Sequence, residues 1–133
     1  MLKRAFYVTA VANIIACVQN VAMPDMSRTM FFGAAPPFDE ATRTTHLLMW
    51  LFVGVFGVGY WKAARDEAWV EPLLVLGGCG KVTAAAVWLT SIMNGVRSPF
   101  LMLAIAFDGV LGAYFLVTLW RLRGRPHSKA PIE

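Results

Sequence analysis

The chain has 133 residues and a formal net charge of +4, with 58% of its residues hydrophobic and 15% charged. Soluble domains run at roughly 45 to 50% apolar, and a fold of this length could not hide the excess from water. The charges are clustered, and they leave four apolar runs of about the 17 to 25 residues that cross a bilayer core, at residues 5–23, 45–63, 72–93 and 100–120. Backbone groups in lipid have no water to bond, so each run must be a helix. The expected fold is therefore all-α: an integral membrane four-helix bundle forming a single domain.

The first run opens on MLKRAFYVTAVANIIAC, whose basic start and Ile-Ile-Ala-Cys resemble a lipoprotein cleavage site. The run continues beyond Cys17 to a full spanning length, which favours an uncleaved first span. Asn13 lies nine residues beyond Arg4, about 14 Å deep, with Thr9, Ala16 and Asn20 on the same helix face. The connection that follows, PDMSRTMFFGAAPPFDEATRT, is the longest in the chain. Met23, Met26, Met30 and Phe31 recur at helical spacing within it. They predict a short amphipathic turn, lying on the outer leaflet or packed as a cap over the bundle, before Gly33 and Pro36-Pro37 end it.

In the second span Gly54, Gly57 and Gly59 make a thin helix against which neighbours can pack. His46 stands near its outer end with Asp39 and Glu40 upstream. One histidine and two loop carboxylates are a poor metal set, and an interfacial polar cap is the preferred reading. A short loop of mixed charge leads to the third span, LLVLGGCGKVTAAAVWLT, with Pro72 in its first turn. Its GGCGKVT is no phosphate loop: Val75 replaces the first glycine, Val82 follows the lysine, and no strand precedes it. Cys17 and Cys79 each lie within a span, belong to no C-x-x-C motif, and are read as buried small hydrophobes.

Lys81 lies ten residues beyond Glu71 and Asp108 twelve residues before Trp120, which places them roughly 15 and 18 Å from one membrane surface. A lone charge at that depth costs at least about 2.5 to 3.5 kcal/mol, so two of opposite sign at one level should pair. The sequence thus predicts an interhelical Lys81–Asp108 ion pair, with Asn13 as the third member of a buried polar cluster. Small neighbours, Gly77, Ala84 and Ala85 on one helix and Ala104 and Gly112 on the other, would let the backbones approach. The predicted helix-packing glycines are Gly54, Gly57, Gly77, Gly80 and Gly112.

Lys3, Arg4, Lys62, Arg65, Arg121, Arg123, Arg125 and Lys129 fall on one side of the membrane, against Arg28, Arg43 and Arg97 on the other. The positive-inside rule then puts both termini in the cytoplasm, and Trp61, Trp69 and Trp120 suit the headgroup layer on that side. The basic tail at residues 121–133 is an orientation signal and a contact for anionic lipid, worth about 1 kcal/mol per charge. No nucleic-acid module accompanies it. His46 and His127 lie on opposite sides, so one chain cannot supply a pair of axial haem ligands. No cofactor is expected.

The residues Gly59, Tyr60, Gly77, Gly80, Lys81 and Asp108, in GVGYWKAARDEAWVEPLLVLGGCGK and FDGVLGAYFLVTLWRL, carry a resemblance. Over roughly the last two-thirds of its length the chain resembles a group of four-span bacterial membrane proteins, loosely DoxX-like in size and layout. In that group the glycine precedes the aspartate of the fourth span, whereas here Gly109 follows Asp108. The resemblance implies the fold and a place in the cell inner membrane, and it implies no activity.

Three functional classes follow. An accessory subunit of a larger membrane complex, with the ion pair as a packing lock, is the first expectation. A small proton- or ion-coupled transporter or channel using Lys81, Asp108 and Asn13 is the second. Small multidrug-resistance transporters also have four spans, but their glutamate in the first span is absent here, and the Lys/Arg bias opposes dual insertion. A membrane enzyme with Lys81 as its acid comes last, because a neighbouring Asp108 would oppose the lowering of the lysine pKa such a role needs. The expected partners are the lipid bilayer and either other membrane subunits or further copies of the chain.

Overall fold

A computed structural model describes residues 1–33 and 38–124. Five α-helices follow one another there: α1 (Leu2–Ala22), α2 (Pro24–Phe32), α3 (Glu40–Ala63), α4 (Val70–Met93) and α5 (Pro99–Arg123), with a 3-10 turn at Glu67–Trp69 before α4. No strand occurs among the described residues. α1, α3, α4 and α5 are long and apolar enough to cross a membrane, and only 22% to 28% of each one's most apolar stretch is buried within the protein. The outer surface is therefore itself apolar, as lipid requires. This is the all-α bundle of a multi-pass membrane protein.

The four long helices match the apolar runs, with ends set by local chemistry. α3 begins five residues before its apolar run, because Asp39 accepts a hydrogen bond from the Thr42 N–H at 2.7 Å and caps it. Thr42, through its side chain and then its backbone, holds the Asp39 carboxyl below the ordinary carboxylate range. α5 begins at Pro99 because Ser98 caps it, accepting from the Leu101 N–H at 3.2 Å. Arg123 in its last turn reaches Glu71 in the first turn of α4 at 2.7 Å. Of the basic tail, only residues 121–124 are described; the remainder lies outside the described residues, as does the Pro36-Pro37 terminator.

α2 is the packed cap rather than a turn resting on lipid. Ser27, fully buried, donates to the Asn20 carbonyl oxygen Oδ1 on α1. Ser98 Oγ donates to the Met30 carbonyl at 2.5 Å. Arg43 of α3 pairs with Asp25 at 2.9 Å. The Phe31 ring lies 5.7 Å from Trp50 and 6.0 Å from Trp88, centroid to centroid. Gly33 ends the helix with φ of 74°, a conformation that a side chain would strain.

The long helices form two tightly packed pairs, α1 with α3 and α4 with α5. Glycines set each approach. A Cβ on Gly54 would lie 2.6 Å from the Cys17 sulfur, and one on Gly57 would lie 2.9 Å from Ile14. On the other pair, a Cβ on Gly112 would come within 3.0 Å of the Val82 backbone nitrogen and 3.1 Å of the Gly78 carbonyl. Gly80 differs from the other four glycines singled out in the sequence, because no atom lies within 4 Å of the place its Cβ would take. Cys17 is half-buried against Gly54, but Cys79 is exposed on the outer face of α4. Its helix face turns it outward, so the expectation of a buried thiol fails there.

At the end of the bundle that holds the chain's N-terminus, the two pairs close on a core of Phe6, Ala10, Tyr60, Ala63, Ala64, Leu73, Leu74, Phe115 and Leu119. The rings of Phe6, Tyr60 and Phe115 meet at centroid distances of 5.3 to 6.1 Å. They make an aromatic plug across all but α4, whose Leu73 and Leu74 complete it. Gly112→Ala should lower stability by about 1 to 3 kcal/mol, because Val82 backbone cannot yield to the new methyl. Gly80→Ala should leave stability unchanged within about 0.5 kcal/mol. Thermal unfolding of both variants in detergent, followed by helical circular dichroism, checks the contrast.

Candidate functional site

Beyond the plug, between the two helix pairs, lies a cavity of about 570 Å³ reaching towards α2. Every helix contributes to its wall. Among the described residues eight aromatic ones line it, including Phe31, Trp50, Phe56, Trp88 and Phe107, and the only charged ones are Lys81 and Asp108.

Lys81 Nζ lies 2.5 Å from Asp108 Oδ1, with the two side chains 8% and 13% exposed. Their helices are held at this spacing by the Gly112 contact one turn beyond Asp108 and by Ala85, whose Cβ would lie 3.9 Å from a Cβ on Gly109. The lysine therefore needs little reach to meet the carboxylate. Its ammonium also sits 5.1 Å from the centroid of the Phe107 ring, whose negative face adds a second, weaker attraction. The pair is self-neutralising, which removes most of the cost of placing either charge in lipid. One oxygen of Asp108 receives the lysine, and the other has no hydrogen bond with any described residue.

Asn13 stands on the α1 wall of the same cavity, packed against Gly57, and is 9% exposed. Its amide makes no hydrogen bond with any described residue, so the cluster expected from the sequence is a set of groups facing one space, not a bonded triad. Tyr60 is a fourth member. Its ring belongs to the plug, but its hydroxyl lies where a Cβ on Gly77 would be, and the residue borders the cavity without a hydrogen-bond partner among the described residues. Gly77 thus makes room for a hydroxyl rather than for a neighbouring helix. Each long helix supplies a polar side chain, Asn13 from α1, Tyr60 from α3, Lys81 from α4 and Asp108 from α5, and α3 adds the Trp50 indole, whose Nε1–H is buried without a partner among the described residues. Gly80 borders the same space and leaves it open.

The sequence singled out Tyr60 through the resemblance alone and did not place it in the buried polar cluster. The signal that could have found it is its neighbour across the bundle, a glycine one turn before the buried lysine. His46 is buried and lies 4.9 Å from the Phe38 ring and 6.2 Å from the Trp50 ring; no group of three or more His, Cys, Asp or Glu side chains that could hold a metal occurs among the described residues. The GGCGK stretch lies inside the continuous helix α4, where backbone N–H groups are already spent on the helix and cannot cradle a phosphate.

Comparison of the chain with family models, with curated proteins and with solved structures gives no match.

The geometry makes a direct prediction for the pair. Lys81→Met or Asp108→Leu alone should cost about 3 to 5 kcal/mol, since each strands a charge in an apolar wall. Both changes together should recover most of that loss, because no charge is then left over. Unfolding of the three variants by sodium dodecyl sulfate titration from a mild detergent measures the cycle; a double-variant loss equal to the sum of the two single losses would mean that the charges do not depend on each other.

Proposed function

We propose that the protein is a small intramembrane carrier that holds a solute in the central cavity, against the Lys81–Asp108 pair. One observation supports this over a packing lock: the pair borders an open cavity instead of being sealed by side chains. A lock works best when dry and tightly packed, whereas solute sites in membrane bundles lie near mid-depth with polar groups converging on a hollow. The aromatic plug closes one end of that hollow, as one gate of a carrier must. On this reading the chain sits in the inner membrane with both termini cytoplasmic, following the Lys/Arg bias, and its DoxX-like layout is a shared scaffold. The cavity has binding and no chemistry as its task.

A second reading, an accessory subunit or homo-oligomer, has its own support. Cys79, Thr83, Ala86 and Thr90 are exposed along one face of α4. Small and hydroxyl-bearing side chains suit contact with another helix better than contact with lipid tails.

Native mass spectrometry of protein released gently from its own membrane separates the two. The carrier reading predicts a chain carrying a small-molecule adduct, absent from Gly80→Phe, where a ring has room to fill the cavity. Stoichiometric foreign subunits on a chain without adduct would establish the accessory reading instead.

A further inference from the structure

The cavity's chemistry narrows what it can hold, and the narrowing rests on the carrier reading above. We infer that the ligand is a neutral planar aromatic alcohol, a phenol with an apolar remainder, whose ring lies between the aromatic walls and whose hydroxyl sits among Asp108, Asn13 and Tyr60. Three observations lead there.

The first is charge. Lys81 and Asp108 are the only charged residues on the cavity wall among the described residues, and they cancel at 2.5 Å. An ionic ligand would bring an uncompensated charge to the depth where charge is most costly, or would have to split the pair. A neutral ligand does neither.

The second is unspent hydrogen bonding. Asn13 is 9% exposed and Tyr60 1% exposed, both line the cavity, and neither side chain has a partner among the described residues. Buried polar groups are nearly always paired, and these two, the second oxygen of Asp108 and the Trp50 Nε1–H, which is buried on the same wall without a partner among the described residues, can each hydrogen-bond a ligand. Between them they offer both kinds of site: the carboxylate oxygen accepts only, the Asn13 amide donates and accepts, and the Tyr60 hydroxyl does either. A ketone or ether could serve only the donors. A hydroxyl donates to Asp108 and accepts from Asn13 or Tyr60 at once.

The third is the shape of the apolar part. The remaining wall carries Phe31, Trp50, Phe56, Trp88 and Phe107, whose faces favour offset or edge contact with another ring. The volume, about 570 Å³, lies within the range of about 300 to 1,000 Å³ typical of sites for medium-sized organic molecules.

Three naphthalenes test the assignment: 2-naphthol, which is neutral and can donate; 2-methoxynaphthalene, which cannot donate; and 2-naphthoate, which is ionised at neutral pH. Binding is measured by equilibrium dialysis of the full chain in lipid nanodiscs against empty discs of the same lipid. The wild type should bind 2-naphthol roughly tenfold more tightly than 2-methoxynaphthalene, and 2-naphthoate no better than the empty discs do. Asn13→Leu and Tyr60→Phe should each weaken 2-naphthol roughly three- to tenfold and 2-methoxynaphthalene, which accepts from the same donors, to a similar degree, so that the preference for 2-naphthol set by Asp108 survives in both variants and shows that they are folded. If 2-naphthol and 2-methoxynaphthalene bind equally, or 2-naphthoate binds best, the phenol assignment is overturned and the carrier reading stands. If none of the three binds to folded wild-type protein, both are overturned.

Discussion

A lysine at mid-membrane is tolerable only with a carboxylate at its own depth on a neighbouring helix, and the arrangement of this protein follows from meeting that condition. Lys81 and Asp108 lie on α4 and α5, which are consecutive in the chain, so the pair fixes the register of a helical hairpin. Gly112 and Ala85 then determine how near the two backbones come, and Arg123 with Glu71 ties the open end of the hairpin. The exposed Arg123–Glu71 pair adds little energy by itself. The buried pair matters through what its absence would do: either charge alone would be stranded in an apolar wall.

The other hairpin-like pair, α1 with α3, is built by close glycine contacts and carries no buried charge. The pairs touch through the Phe6, Tyr60 and Phe115 plug at one end and are spanned by α2 at the other. What remains between is hollow, and Tyr60 belongs to both parts. Its ring holds the plug while its hydroxyl faces the cavity past Gly77. A ligand that draws on the hydroxyl therefore acts on the same side chain that closes the bundle, which gives a carrier a physical link between occupancy and gating.

The four long helices were legible because a bilayer permits few alternatives: a run of the right length must be helical, and its depth follows from the rise per residue. The same arithmetic made the Lys81–Asp108 contact readable, since both charges had to lie at one level. Depth says little about azimuth, and that is where reading stopped. Asn13 has the right depth, but no hydrogen bond joins it to the pair. Tyr60 has an interfacial Cα, and its side chain reaches a place no rise calculation assigns. Cys79 and Gly80 are adjacent within the same span, yet one turns to the exterior and the other to the cavity. The cavity itself depends on how far two helix pairs splay, a property of tertiary packing that no single segment encodes. α2 was legible as helical spacing, but its attachment came from hydroxyls: Ser27 to Asn20 and Ser98 to the Met30 carbonyl. Single serines carry no pattern that reveals a partner so far along the chain.

The central claim is that the charge pair is both formed and open to the cavity. Magic-angle-spinning NMR of the protein in bilayers tests it most directly, with ¹⁵N in the lysine ammonium groups and ¹³C in the aspartate carboxyls, and with Lys81→Met to assign the signals. The account predicts a dipolar contact between Lys81 Nζ and Asp108 Cγ together with magnetisation transfer from water to that same nitrogen. A contact with no transfer from water would mean a sealed packing lock, and the absence of the contact would contradict the account at its base.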